Sequence, residues 1–307
     1  MLNSQLYYQD PEPIKMGSGS ELAEALFYYH EKKELSWVDI SGRQIFRYNQ
    51  GTNSLTQWNL DLDLPSCLIP LDKNIGEKND YLITSNHNIY LWNSTDNICT
   101  LSSSLPEKLD QSIRLNDGKC DPRGRLWLGT MDIYDRPMLG GLYRYNNDNT
   151  ISKKLSGISL SNGLDWSPDG QTFYYIDTPT RSVQVYRYDL NNGNIVRHID
   201  TIDLTKMINQ GVVGVPDGMT IDGEGNLWIA MWNGSSVIHI DPTYKELIAK
   251  YDLPVSKPTT CVFAGDNLDQ LYVSTAYTPE EKDSGRIFKI YSSKTIRGKP
   301  CIPYSTL

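Results

Sequence analysis

The chain has 307 residues, a formal net charge of −8, 21% charged residues and 39% hydrophobic residues. This is ordinary globular composition, with enough apolar residues for a substantial core. The acidity argues against nonspecific nucleic-acid binding. No apolar run approaches the roughly 18 residues of a membrane span, so no membrane association is expected. The opening MLNSQLYYQD lacks the basic start and apolar centre of a signal peptide, so a cytoplasmic location is expected. The cysteines are Cys67, Cys99, Cys120, Cys261 and Cys301, an odd, scattered set without CxxC spacing. They predict free thiols, not a disulfide framework or a zinc knot.

In chain order, one pattern recurs six times: a polar turn, then an apolar strand opening on Leu or Phe and an aromatic. The copies are HEKKELSWVDI (30–40), the weaker EKNDYLITSN (77–86), DPRGRLWLGT (121–130), SPDGQTFYYID (167–177), DGEGNLWIAMW (222–232) and DNLDQLYVSTA (266–276). Aligned on Trp37, Leu82, Trp127, Tyr175, Trp228 and Tyr272, they step by 45, 45, 48, 53 and 44 residues. A period near 45 with several strands per unit predicts an all-β, six-bladed β-propeller, four antiparallel strands per blade, in one domain over residues 1–307. A two-sheet sandwich needs no such period. The Asp/Asn-x-x-Gly turns call for glycine at positive φ. The last turn, Asp266-Asn267-Leu268-Asp269, lacks that glycine, and Asn is expected to take the conformation.

Counting back from the anchors exposes a polar set. Glu24 and Asn162 each lie 13 residues before theirs; Asn116 and Asp217 each lie 11 before theirs. Equivalent positions at the start of a blade ring the central channel, so four oxygen-bearing side chains should converge there. Two carboxylates and two amides are hard donors suited to Ca²⁺, Mg²⁺ or Mn²⁺, with Zn²⁺ also compatible. The second repeat offers apolar Leu71 and Ile69, and the sixth Thr259 or Cys261, which leaves an apolar side for a substrate. Singly, Asn116-Asp117-Gly118, Ser161-Asn162-Gly163 and Pro216-Asp217-Gly218 read as turns. Matched offsets in three repeats, with Glu24, favour ligands instead. Pro216-Asp217-Gly218 is still expected to hold Asp217 in a tight turn.

The same segments carry a likeness. IRLNDGKCDPRGRLWLGTM (113–131) resembles the R-x-N-D-G-K-x-D-x-x-G-R…G-T-M stretch of SMP-30/gluconolactonase/regucalcin proteins. Residues 161–177, 215–232 and 257–276 resemble three further blocks of that family. Its insect branch, including luciferin-regenerating enzymes, is similar in length and layout. The resemblance implies Glu24, Asn162 and Asp217 as metal ligands, Arg114 and Asn116 as substrate contacts, and Asp217 as general base or acid. There are departures. The family's E-G-P-x-W reads Glu24-Ala25-Leu26-Phe27-Tyr28, and a substrate-facing Glu found in some relatives reads Tyr134, with Asp132 as a substitute contact.

The function expected is a divalent-metal-dependent lactone hydrolase: one cation, Ca²⁺ foremost, acts as Lewis acid, and Asp217 takes a proton from water. The partner expected is a small lactone. A calcium-binding regulatory protein without turnover has no use for Arg114 beside the ring. An interaction scaffold needs no polar convergence. A related ester or organophosphate hydrolase is the nearest rival.

Overall fold

A computed structural model of the chain describes residues 11–14, 19–72, 80–106, 108–146, 148–292 and 296–305. The opening decapeptide, and Glu77, Lys78 and Asn79 at the head of the second repeat, lie outside the described residues. Six sheets of four antiparallel strands form a ring, a six-bladed β-propeller. The innermost strands of blades 1 to 6 are Ala23–Tyr29, Pro65–Pro70, Ile113–Cys120, Ser161–Trp166, Val215–Ile221 and Pro258–Ala264. Each touches the next, and the sixth touches the first.

Blades 1 to 5 are each a continuous meander. Blade 6 draws on both ends of the chain. Pro258–Ala264, Gln270–Thr275 and Phe288–Ser292 are joined by Glu12–Pro13, which pairs through Glu12↔Lys289 and Pro13↔Phe288. The C-terminal segment crosses one face of the ring, with Gly298 bridged to Asp222 and Tyr304 to Leu71.

Aromatic side chains fill the space between blades. Trp127 of blade 3 meets Trp166 and Phe173 of blade 4 at centroid separations of 6.1 and 5.4 Å. Buried Asp121 ties the same pair of blades. Its Oδ2 accepts from Arg125 Nε at 2.6 Å and from Tyr188 Oη, also at 2.6 Å. All five cysteines are free.

The strand-entry turns form as expected where glycine is present: Gly124, Gly170 and Gly225 have φ of 76°, 67° and 94°. The last turn differs. Leu268 N–H donates to Gly265 O at 3.1 Å, so the turn is Gly265-Asp266-Asn267-Leu268. Leu268, not Asn267, takes the positive φ of 54°.

One irregularity recurs in every blade. Pairing runs from Glu24↔Val38 to Phe27↔Ser36 in blade 1, and from Pro216↔Met231 to Met219↔Ile229 in blade 5. The inner strand advances three residues while its neighbour advances two. The breaks at Pro65/Leu68, Leu115/Gly118, Ser161/Leu164 and Pro258/Cys261 have the same form. Each is a β-bulge, which bends the strand and re-aims side chains. The first extra residues are Ala25, Ser66, Asn116, Asn162, Asp217 and Thr259.

Three expectations change here. Pro216-Asp217-Gly218 lies inside a strand and makes no turn. The second blade presents Ser66, not Ile69 or Leu71, at the equivalent place. The sixth presents Thr259 and not Cys261.

Blade 1 adds a local distortion. Ala25 has φ of 54°, a left-handed conformation that costs an L-residue with a Cβ about 1–2 kcal/mol. Glycine adopts it freely but loses more entropy on folding. Ala25→Gly is therefore expected to raise unfolding stability by about 0.5–1 kcal/mol, read from the urea midpoint. A lower midpoint would show that Ala25 is not held left-handed in solution.

Candidate metal centre

The bulges bring the polar set to one end of the channel. A cavity of about 410 Å³ opens there, and Glu24, Arg114, Asn116, Asn162 and Asp217 all line it. Four of these come from the bulges or the residue before one; Arg114 sits two residues ahead of Asn116 on the same inner strand.

A directed hydrogen-bond chain fixes the two amides. Thr178 Oγ1 donates to the Pro216 carbonyl at 2.8 Å and accepts from Asn162 Nδ2 at 2.8 Å. Asn162 Oδ1 accepts from Asn116 Nδ2 at 2.9 Å, and that amide also donates to Ser161 O at 2.9 Å. Backbone carbonyls only accept, so both ends of the chain are anchored and neither amide can flip. Asn162 Oδ1 keeps a second lone pair for a ligand. Asn116 has both amide hydrogens engaged and offers only its oxygen.

The carboxylates are poorly compensated. Asp217 is 6% exposed, and no donor among the described residues reaches its carboxylate. Burial, then the Asp117 charge, pushes its carboxyl well above the usual range. Burial raises Glu24 likewise, followed by Asp217 and Asp117, with Arg114 opposing. Arg114 is buried, and burial lowers its pKa while Glu24 partly restores it. Its Nη1 donates to the Leu115 carbonyl at 3.0 Å.

Glu24 is half-buried and accepts from the Ala25 backbone, whereas Asp217 has no donor; like charges so placed are costly, and a cation among them offsets that cost. Glu24, Asp217 and the free lone pair of Asn162 make a three-oxygen set that fits a hard divalent ion. Among the described residues no group of three His, Cys, Asp or Glu side chains could hold a metal ion. A cation here would therefore depend on the amide as well as the carboxylates.

Asp132 is not brought to this cavity. Its carboxylate accepts from Ser112 Oγ at 2.7 Å, Tyr134 N at 2.8 Å and Arg136 Nη2 at 2.7 Å. The Tyr134 side chain is 72% exposed and does not line the cavity. Asp135, from the same loop, does. Sequence reasoning also missed Thr178, Ser159 and Trp232 in the lining. Thr178 follows Asp177 at the end of a repeat strand, and nothing in its spacing marked it.

A six-bladed propeller with an acid-lined cavity at one end of its channel is the class of protein that this site defines. The chain belongs to the SMP-30/gluconolactonase/LRE-like family, whose region matches residues 22–277. It is 35% identical over 260 residues to a putative sugar lactone lactonase of Bacillus subtilis, covering 83% of each chain. It is 32% identical over 296 residues to regucalcin of Gallus gallus, covering 92% of this chain and 95% of that one. The structure matches a luciferin-regenerating enzyme with a TM-score of 0.87 at 28% identity, covering 96% of this chain and 99% of that one. It matches a calcium-binding protein, regucalcin, of Agrobacterium tumefaciens with a TM-score of 0.84 at 24% identity and 97% of each chain, a likeness of fold. The family supports a lactonase-like function. No helix among the described residues is long and apolar enough to cross a membrane.

Asp132 yields a prediction of its own. Hydrogen bonds from Arg136 hold its carboxyl far below the usual range, with Ser112 and Tyr134 adding to the effect. A depressed folded pKa contributes stability above the unfolded value, near 4, and loses it as pH falls. Asp132→Asn is expected to lower the melting temperature at pH 7, with the gap to wild type constant down to about pH 5 and narrowing as pH falls below about 4. A gap independent of pH would assign the loss to packing.

Proposed function

We propose that this protein opens lactone rings by hydrolysis, using one divalent cation held by Glu24, Asn162 and Asp217. The observation that carries the reading is Asp217: a buried carboxylate without a donor, facing a ligand-sized cavity beside Glu24. A divalent ion bound there supplies Lewis acidity towards a carbonyl oxygen and eases ionisation of water.

The side chains do the rest. Asp217 accepts a proton from the water that attacks the lactone carbonyl carbon. The acyl C–O bond of the ring then breaks, and the proton passes to the ring oxygen, giving a hydroxy acid. Arg114 has no carboxylate partner in an ion pair among the described residues, so its guanidinium is available to the substrate's developing negative oxygen. Asn116, with only an acceptor to offer, holds a substrate hydroxyl or leaves that corner empty. Thr178 positions Asn162 through its hydroxyl. A site with a buried guanidinium and room for a ligand favours turnover over cation storage alone.

Asp217→Asn keeps size but removes charge and basicity. With saturating Ca²⁺, Mn²⁺, Zn²⁺ or Mg²⁺, it should lower lactone turnover by at least about 10²-fold while the melting curve stays cooperative. Near wild-type rates in that variant would remove Asp217 from the mechanism. Chelated wild-type protein should be inactive and recover on adding the ion.

Thr178→Val removes the hydroxyl that orients the Asn162 amide. Titration calorimetry should show cation affinity weaker by about 10–100-fold, with Thr178→Ser restoring it. Unchanged affinity in the valine variant would mean that the amide is held by Asn116 alone.

A further inference from the structure

We infer that the cavity accepts lactones bearing an apolar substituent, alkyl or aryl, in preference to polyhydroxylated sugar lactones. This deepens the lactonase reading above and rests on it.

The polar groups of the cavity are largely committed. Glu24, Asp217 and the free Asn162 lone pair face the cation. The Thr178 hydroxyl donates to Pro216 O and accepts from Asn162. Both Asn116 amide hydrogens are used. Ser159 Oγ already accepts from the Met138 N–H at 3.1 Å. The Arg114 guanidinium, the Asn116 oxygen, the Ser159 hydrogen, the Trp232 indole N–H and Asp135 remain for substrate. A sugar lactone carries several hydroxyls, and each must find a partner when it leaves water.

The remaining wall is apolar: Leu22, Met131, Leu160, Pro179, Val215 and Trp232. All six are half-buried or exposed, so their apolar surface faces the open cavity. An alkyl or aryl group would cover that surface favourably. The rim continues it. Asp135 lines the cavity and Met138 N–H reaches Ser159, which sets the 133–139 loop at the mouth. That loop exposes Tyr134 and Met138, 72% and 68% accessible, with Ile133 and Leu139 beside them. The inference thus departs from the sugar lactone in the name of the Bacillus subtilis relative.

The test compares two six-membered lactones, δ-decalactone and glucono-δ-lactone, with the protein loaded in turn with each of the four ions. The alkyl lactone should show kcat/KM at least about tenfold higher, the least that several buried methylenes would give. Leu160→Asn, checked by its melting curve, should bring that ratio down by at least about fivefold. Calorimetry with non-hydrolysable lactams on the wild-type protein supplies a readout independent of turnover. The pentyl-substituted δ-lactam should bind at least about tenfold more tightly than the unsubstituted ring. A preference for gluconolactone, with equal binding of the two lactams, would overturn the inference and leave the lactonase reading standing. Failure to hydrolyse either lactone with any ion would instead sink the lactonase reading, while the lactam titration still decides the apolar preference.

Discussion

The extra residue in each inner strand is the constraint on which the site depends. In a regular ladder, successive side chains alternate between the two faces of a blade, and both faces are buried against neighbouring blades. A bulge breaks that alternation and turns two side chains into the channel. Blade 3 shows the split: Asn116 lines the 410 Å³ cavity, and Asp117, the next residue, lines a smaller cavity of about 70 Å³ on the other side. Glycine follows the cavity-lining residue in blades 4 and 5 for a steric reason. A Cβ on Gly163 would lie 2.7 Å from the Asp217 carbonyl, and one on Gly218 would lie 2.3 Å from Thr260 Oγ1. Inner strands therefore approach closely where the cavity-facing side chains converge.

Convergence concentrates negative charge. Glu24, Asp217 and Asp117 influence one another, and the nearest fixed cation below, Lys119, is already committed. Its Nζ lies 2.8 Å from Asp165 Oδ2 and donates to Met219 O at 2.7 Å. Arg114 alone among the cavity's side chains opposes the carboxylates from above. The site is thus held at some cost to stability, supported by the aromatic packing between blades, and its electrostatic deficit is what a cation would offset.

The repeat was legible because every blade needs the same tight turn before its second strand, and turns have a residue vocabulary. The depth of each side chain was less legible. Pairing makes Leu35, Leu82, Trp127, Tyr174, Trp228 and Tyr272 equivalent, each one residue before the first pair beyond the bulge. Aromatic identity drew the alignment to Trp37 and Tyr175 instead. Measured from the true equivalents, Glu24 lies 11 residues back and Asn162 lies 12, against 11 for Asn116 and Asp217. The extra residue in blade 4 lies between the closing pair Trp166↔Phe173, which encloses six residues where Cys120↔Leu126 and Ile221↔Leu227 enclose five. Glu24 precedes its bulge rather than opening it, and left-handed Ala25 marks that difference. Thr178 and Asp135 were invisible because their roles arise across blades or in an irregular loop. Glu12–Pro13 belongs to no repeat, so its place in blade 6 left no trace in the period.

The two ends of the channel are treated differently, and this bears on chemistry. On the side away from the candidate metal centre, Lys299, Pro300, Cys301 and Ile302 of the C-terminal segment line the small cavity. Lys299 Nζ donates to Trp166 O at 2.5 Å and lies 3.5 Å from Asp165 Oδ1, beside the Lys119 pair. The Ser305 N–H donates to Gly124 O at 3.0 Å, so the segment is fastened at blade 3 as well as at blade 5. The floor beneath the carboxylates is thus built of protein, with Lys119 and Lys299 both set against Asp165 and Asp117 outside any ion pair among the described residues. Protein packed beneath the acidic ring polarises less than bulk solvent, so each charge near Asp217 acts more strongly on its neighbours. The apolar wall and the 133–139 rim border the cavity on the opposite side, with Arg114 and the carboxylates in the same lining.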